Sequence, residues 1–251
     1  MSFRAGIAIG VGLLMTVAVV RPATAQWYFS GYGGASHTRS ADVTVKVPAA
    51  GLAVTYQNVA FSSASFTGPP YLGARVGHFF GATRKLGIEF EILHLKMIAD
   101  TSRTYGTTGQ IDGVALPAGM SSTMSDVVQQ FRITHGLNFL LINLVWRQAI
   151  GSAHNPRLAL WGRVGAGPTL PHPETTVLTQ HLEEYELRGA GADASLGFDC
   201  LIVPHFSAFT EYRVTYARPS IAVVGGAGGM SALSQEWNFG LSVGSIRGPN
   251  R

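Results

Sequence analysis

Charged residues and cysteine are scarce in this sequence. Only 13% of its 251 residues are Asp, Glu, Lys or Arg, which is about half the share in an ordinary soluble domain. A single cysteine excludes a disulfide framework and a Cys-rich zinc site. The 31 glycines follow no Gly-X-Y period, so collagen is excluded. Basic residues give a formal charge of +4 but never form a run, so we expect no nucleic-acid partner. Low charge with abundant glycine is typical of a membrane protein, a fibrous chain or a glycine-rich β protein.

The first 25 residues have the features of a cleaved signal peptide. Arg4 precedes an apolar stretch from Ala5 to Val20, and Arg21-Pro22 ends it. Ala23-Thr24-Ala25 then forms a small-residue cleavage site before Gln26. The apolar stretch is shorter than the ~20 residues that a membrane helix needs, so an uncleaved anchor is the less favoured alternative. We expect residues 1–25 to be removed and 26–251 to be exported.

After residue 26, no apolar run is long enough to cross a membrane as a helix. Apolar residues instead alternate with small or polar residues, most regularly from Ala190 to Ile202 and from Trp237 to Gly244. This period of two predicts β-strands. Eight strands are predicted, at roughly 26–38, 70–80, 86–98, 129–148, 157–168, 188–202, 206–217 and 235–246.

The fourth predicted strand is the least regular. Arg132 and Asn138 share one face of this strand, whereas Asn143 and Arg147 fall on the other. One extra residue would reconcile the two faces, so we expect a β-bulge near Leu140.

The connections between the predicted strands alternate strictly between long and short. The short ones lie at 82–85, 149–156 and 203–205, and the long ones are rich in Ser, Thr, Gly and Pro. Outer-membrane barrels have tight periplasmic turns and long outer loops. The pattern predicts an all-β, eight-stranded, antiparallel up-and-down transmembrane barrel over residues 26–251, located in the bacterial outer membrane.

Gly-rich residues 224–229 lack a following helix or lysine, so we interpret them as a flexible outer loop rather than a phosphate cradle.

Aromatic residues fall near the ends of the predicted strands, as amphipathic rings do at both interfaces of a membrane. Three are expected at the periplasmic ends, namely Trp27, Phe80 and Trp146. Three more are expected at the outer ends, namely Tyr71, Tyr216 and Trp237.

Charged residues are expected at inward positions of the barrel. They are Arg75, Glu89, Glu91, Arg132, Arg163, Asp193, Asp199, Glu211 and Arg213. An eight-stranded barrel has room only for side chains, so charges of opposite sign should pair across the lumen. We expect Arg213 to face Asp193 and Asp199, and a neutral polar residue at 213 to be tolerated. A water-filled selectivity ring is the less favoured alternative.

Two segments resemble those of a known family. The predicted mature start, Gln26-Trp27-Tyr28-Phe29-Ser30-Gly31-Tyr32-Gly33-Gly34, resembles the opening strand of small OmpA-type, porin-family outer-membrane barrels. Leu196-Gly197-Phe198-Asp199, leading through a proline turn into 207–213, resembles a later hairpin of that family. The resemblance implies membrane lipids, lipopolysaccharide and the outer-membrane assembly machinery as partners. Such barrels usually finish on an aromatic residue, whereas 247–251 here continue past Ile246 without one.

Catalysis is the main alternative to a structural role. His205, Ser207 and Glu211 are residue types that lipid A deacylases use as base, nucleophile and orienting carboxylate. Six positions along a strand separate His205 from Glu211 by about 20 Å at ~3.3 Å per residue. We therefore expect no catalytic residues and no enzyme activity.

Residues 172–186 could hold a divalent cation. They include His172, Glu174, His181, Glu183, Glu184 and Glu186. Imidazole suits Zn²⁺ and carboxylate suits Ca²⁺, but no spacing of a known site is present. A solvated acidic loop is the favoured interpretation, so we expect no metal and no cofactor.

Three functional hypotheses remain after this reasoning. The first is a non-enzymatic barrel with a structural or surface-interaction role, with a narrow channel as its nearest variant. The second is a membrane-embedded lipid A deacylase, and the third is a secreted soluble barrel that binds a small apolar ligand. The inward charges oppose the third. The ligand and the oligomeric state stay open.

Overall fold

A computed structural model describes residues 27–81, 83–151 and 157–244. Over these residues the chain is an antiparallel β-sheet protein with two single-turn 3-10 helices, at Pro48–Ala50 and Met124–Asp126. None of the helices in the described ranges is long and apolar enough to span a membrane. The all-β prediction is confirmed. The predicted signal peptide and cleavage site, and the chain after residue 244, lie outside the described residues.

Within the described residues, seventeen strands make up the sheet. They are β1 Trp27–Thr38, β2 Ala41–Val47, β3 Leu52–Val59, β4 Phe61–Ser62, β5 Leu72–Phe80, β6 Leu86–Ala99, β7 Thr104–Ile111, β8 Val114–Ala115, β9 Ser121–Thr123, β10 Val128–Ile150, β11 Leu158–Pro171, β12 Glu174–Val177, β13 Gln180–Glu183, β14 Gly189–Val203, β15 Phe206–Val223, β16 Gly226–Met230 and β17 Ala232–Gly244.

The eight predicted strands correspond to β1, β5, β6, β10, β11, β14, β15 and β17. Each pairs antiparallel with the next in that order, and β17 pairs back with β1 from Tyr28↔Gly244 to Thr38↔Ser234. The circuit of hydrogen bonds therefore returns to its start, and these eight strands leave no edge unpaired. We call this circuit the closed sheet.

The two ends of the closed sheet differ. Short connections join β5 to β6, β10 to β11 and β14 to β15 at one end, where the described chain also begins and ends. We call this the short-turn end. All four long connections lie at the opposite end, which we call the long-connection end.

The long connections were predicted as loops, and this prediction is wrong. They contain the other nine strands, of which β16 pairs with both β15 and β2, β2 with β3, and β3 with β7. The glycine-rich segment forms the β15–β16 hairpin. Glycine is needed at 226 for the pairing of β16 with β2, because a Cβ there would collide with the Lys46 carbonyl. We call the nine additional strands, with the adjoining ends of β10 and β15, the cap.

The cap has its own hydrophobic core. Alternate residues of β2 and β3, including Val45, Val54 and Tyr56, are completely buried there. The same core extends into the closed sheet, where Leu95 and Phe139 face inward. Apolar side chains therefore fill the interior at the long-connection end.

The β-bulge of β10 lies earlier than predicted. The register with β6 shifts between Ile133 and Leu137, so residues 134–136 oppose the single residue Lys96. Gly136 accommodates the irregular backbone with φ at 109°. The bulge adds two residues and preserves parity, so odd-numbered residues other than His135 face inward from Phe131 to Arg147. The predicted bulge near Leu140 is therefore wrong, since the two faces needed no reconciliation there.

The outward face of the closed sheet carries an apolar band. Its exposed large side chains include Phe29, Val76, Ile88, Phe90, Ile92, Ile142, Leu144, Val164, Leu196, Phe198, Phe239, Leu241 and Val243. On β5 the outward positions run without a charged residue through all nine residues from Leu72 to Phe80. A tilted strand needs 9–11 residues to cross a bilayer, so this run has a membrane-spanning length.

Candidate functional site

A cluster of paired charges fills the middle of the closed sheet. Its centre is Glu211 on β15, which accepts hydrogen bonds from arginines on β5, β11 and β15 itself. Arg75 Nη1 lies 3.0 Å from Glu211 Oε2, Arg163 Nη1 lies 2.8 Å from the same oxygen, and Arg213 Nη2 lies 3.0 Å from Oε1. All four side chains are buried. We call this group and the partners described next the charge cluster.

Two carboxylates on β6 complete the balance of charge. Glu91 accepts from Arg75 Nε at 2.9 Å and from Arg213 Nη2 at 2.7 Å. Glu89 lies 3.4 Å from Arg163 Nε. Three carboxylates thus offset three guanidinium groups, which is the condition under which buried charges are tolerated.

Uncharged inward residues satisfy the remaining oxygens. The Tyr28 hydroxyl donates to Glu89 at 2.6 Å, and the Tyr32 hydroxyl donates to Glu91. Asn143 Nδ2 donates to both of these carboxylates, at 2.9 and 2.6 Å, and Asn238 Nδ2 donates to Glu211 at 2.9 Å. Sequence reasoning missed these four residues as site residues, although their inward parity was readable, because it searched the strands for charge alone.

The predicted partners of Arg213 are only partly those observed. Asp193 Oδ2 lies 3.5 Å from Arg213 Nε. Asp199 instead accepts a hydrogen bond from Ser207 Oγ at 3.0 Å. Arg213 also reaches across the sheet to Glu91 and Tyr32, because a narrow interior brings opposite walls within reach of a long side chain.

Arg132 was predicted to face the lumen, and this is wrong. Its parity is outward, its side chain is 39% exposed, and it forms a bidentate pair with Glu174 in which Nη2 lies 2.7 Å from Oε1. The hydrogen bonds from Arg132 lower the pKa of the Glu174 carboxyl. The pair therefore connects β10 to β12 outside the closed sheet.

Packed side chains close both sides of the charge cluster. Towards the short-turn end lie Tyr28, Phe79 and Trp161, with the ring centroids of Phe79 and Trp161 5.3 Å apart. Towards the long-connection end lies the apolar core of the cap. A void of about 10 Å³ beside Arg163 and Glu211 has room for about one water molecule.

Most of the predicted interface aromatics point outward. Trp27, Phe80 and Trp146 are exposed on the sheet's outer face towards the short-turn end, and Tyr216 and Trp237 are exposed towards the other. Tyr71 is the exception, since it is only 2% exposed and lies beside Tyr32 with centroids 6.4 Å apart. Its neighbour Leu72 points outward, so alternation turns Tyr71 inward, and the predicted interface position is wrong.

The residues of the deacylase hypothesis are not brought together as a triad. His205 lies in the β14–β15 turn with φ at 71°, and its Nδ1 is 3.2 Å from the Gly244 carbonyl oxygen. Ser207 Oγ donates a hydrogen bond to Asp199, and the Glu211 carboxylate accepts hydrogen bonds from three arginines. In the described parts of the chain, Ser207 therefore has a carboxylate partner and no imidazole partner.

The segment 172–186 is not the solvated acidic loop that was predicted. It contains the β12–β13 hairpin, in which Glu174 pairs across the strands with Glu183. His172 and Glu174 are buried. The structure also brings His135 on the bulge of β10 to this hairpin, with its ring centroid 4.8 Å from that of His172. Residue spacing could not reveal this contact because it joins separate strands.

Comparisons with known proteins yield structural likenesses only. No family model matches the chain, and no curated protein matches it. Solved structures similar to it include Neisserial surface protein A, with 10% identity over 87% of this chain and 96% of that chain and a TM-score of 0.41. OprG from Pseudomonas aeruginosa has 13% identity over 87% and 96%, with a TM-score of 0.43. Ail of Yersinia pestis has 11% identity over 86% and 99%, with a TM-score of 0.32.

These neighbours are outer-membrane β-barrel proteins. Likenesses of this size transfer no activity and do not establish the OmpA-type family. The architecture described above rests instead on the strand pairings and on the distribution of polar and apolar side chains.

Proposed function

We propose that this chain is an eight-stranded, up-and-down β-barrel of the bacterial outer membrane with the layout of the small OmpA-type, porin-family proteins. Its role in this proposal is structural or surface-interacting, without enzyme activity. The observation that carries the proposal is the reversed distribution of side chains in the closed sheet: apolar residues face outward all round, and the charge cluster faces inward.

The apolar band supports a lipid environment. Phe90, Leu144 and Phe239 are 45%, 64% and 65% exposed on three different strands. Soluble proteins rarely expose a continuous apolar surface of more than a few hundred Å². A secreted barrel that binds an apolar ligand would need the opposite arrangement, so the lipocalin-like alternative is the weakest of the three.

The orientation follows from the two ends of the closed sheet. Short turns are periplasmic in bacterial outer-membrane barrels and long connections face outward, so the cap lies on the cell surface in this proposal. Bilayer lipids and lipopolysaccharide contact the band, and the outer-membrane assembly machinery inserts the chain. The buried core of the cap favours a fixed surface for interaction over a set of independent loops.

The filled interior argues against the narrow-channel variant. An ion would have to pass the Tyr28–Phe79–Trp161 layer, the charge cluster and the apolar core of the cap in turn. We expect no stepwise conductance in planar bilayers, and a conducting pore would contradict the closed lumen. Among the described residues, Ser207 has no imidazole partner of the kind that the deacylase alternative requires. We expect no fatty-acid release from lipid A in isolated membranes, and release that is lost in Ser207→Ala would contradict this part of the proposal.

Fractionation and labelling test location and orientation together. The full chain expressed in a bacterial host should appear in the outer-membrane fraction and migrate differently on gels with and without boiling. In a Cys200→Ala background, Val114→Cys in the cap should react with a membrane-impermeant maleimide on intact cells. The matched variant Lys85→Cys, in a short turn, should react only after permeabilisation. Recovery in the soluble periplasm, or reversed labelling, would refute the proposal.

A further inference from the structure

Three side chains meet on the outer surface where β10 lies beside the β12–β13 hairpin of the cap. One nitrogen of His135, one nitrogen of His172 and one carboxylate oxygen of Glu183 all lie within 4.8 Å of one another. Glu183 Oε1 is 3.6 Å from His135 Nδ1 and 3.6 Å from His172 Nε2. We propose that these three residues bind a first-row divalent transition metal of the Zn²⁺ type, a role separate from the proposed function of the barrel.

The backbone is arranged to bring these groups together. His135 lies in the bulge of β10, where residues 134–136 oppose a single residue of β6. The bulge turns His135 outward although odd-numbered residues on either side face inward. The carbonyl of Gly136 accepts the backbone N–H of His172 at 3.0 Å, so the bulge also fixes the position of the second histidine. Bulges often re-aim a side chain in this way beside functional sites.

The His172 ring is held in one orientation. It stacks on Tyr185 with centroids 3.8 Å apart and planes inclined by 5°. The residue is buried, and within the described residues its Nδ1 has no hydrogen-bond partner. The stacked ring places its Nε2 3.6 Å from Glu183 Oε1.

The spacing suits a metal better than hydrogen bonds. The 3.6 Å separations exceed normal hydrogen-bond lengths. Ligands at 2.0–2.1 Å in a tetrahedral zinc site lie about 3.4 Å apart, which is close to the 3.6 Å between Glu183 and each histidine. Two imidazoles and one carboxylate match Zn²⁺ rather than Ca²⁺, which prefers oxygen ligands throughout. The half-exposed His135 and Glu183 leave a fourth position open to water.

Neighbouring charges are compatible with a bound cation. The nearby guanidinium of Arg132 is paired with Glu174. His181 is on the same strand as Glu183, but its Nδ1 lies 3.1 Å from Thr176 Oγ1. Two neutral imidazoles with one carboxylate would leave a single positive charge on a Zn²⁺ complex, and the neighbouring Arg132–Glu174 pair adds no net charge to it.

Calorimetric titration with ZnCl₂ tests the site. The mature chain is purified in detergent without a polyhistidine tag and stripped with a chelator. We expect one Zn²⁺ per chain, no Ca²⁺ binding at the same concentration, and an affinity at least tenfold weaker in His135→Ala and in Glu183→Gln. His181→Ala is the matched control on the same hairpin and should bind as the unmodified chain does.

Heat-modifiable migration of each variant verifies that it is folded. A Co²⁺-substituted sample should show the visible absorption of a tetrahedral site, and His135→Ala should lose it. Absence of Zn²⁺ binding to the folded, unmodified chain would overturn the proposal, and so would an equal loss in His181→Ala. Neither result would affect the proposed location of the barrel in the outer membrane.

Discussion

Replacing Glu211 by glutamine removes the carboxylate at the centre of the charge cluster while keeping its shape. Three buried arginines share this carboxylate, and two of them, Arg75 and Arg213, have Glu91 as their other close partner. After Glu211→Gln, three guanidinium groups would have only Glu89 and Glu91 as close carboxylate partners, because Asp193 lies 3.5 Å from Arg213 alone. An uncompensated buried charge costs about 3–5 kcal/mol, and we expect the free energy of unfolding to fall by that amount.

Urea unfolding in lipid vesicles measures this loss. With a urea dependence of about 2 kcal/mol per molar, the midpoint should fall by about 2 M. Glu236→Gln is the matched control, because Glu236 is equally buried but accepts its hydrogen bond from Thr215 at 2.7 Å and belongs to no arginine pair among the described residues. Its midpoint should move far less.

A double-mutant cycle separates pairing from general disturbance of the barrel. If Arg163 and Glu211 interact directly, Arg163→Gln combined with Glu211→Gln should cost less than the sum of the single changes by about 0.5–3 kcal/mol. Equal midpoints for Glu211→Gln and Glu236→Gln, or strict additivity in the cycle, would refute the reasoning. By the same argument Arg213→Gln should be severe, contrary to the tolerance that the sequence alone suggested.

Further outcomes follow from other parts of the molecule. Phe90→Arg should cost about 2–4 kcal/mol at mid-membrane depth and reduce the yield of heat-modifiable protein, whereas Phe90→Leu should not. Because the pKa of Glu174 is lowered in the folded chain, the Arg132 pair should stabilise the β12–β13 hairpin above about pH 4.3 and be lost as the pH falls further. Hydrogen exchange of the hairpin should then accelerate, and Arg132→Gln should abolish this pH dependence. Gly136→Val should disrupt the bulge, where φ is 109° and a Cβ would meet the His94 ring, and a Zn²⁺ affinity that stays unchanged would count against a site built on the bulge.

The sequence by itself determined the eight strands of the closed sheet. Each of them presents one face outward and the other to a narrow interior, so apolar and polar or small residues alternate along the chain, as in 190–202 and 237–244. The same alternation placed Glu211, Arg213 and Asp193 inside, because parity within a regular strand is a local property.

Tertiary structure decided the features that depend on pairing between distant segments. Alternating valines in β2 and β3 carry a strand signal, but only docking against β16 and the ends of the closed sheet gives them a core. The register of β10 against β6 put the bulge at Gly136 and preserved the parity of the strand, which leaves Arg132 on the outward face. His135, His172 and Glu183 meet because strand pairing, rather than sequence spacing, sets distances across a sheet.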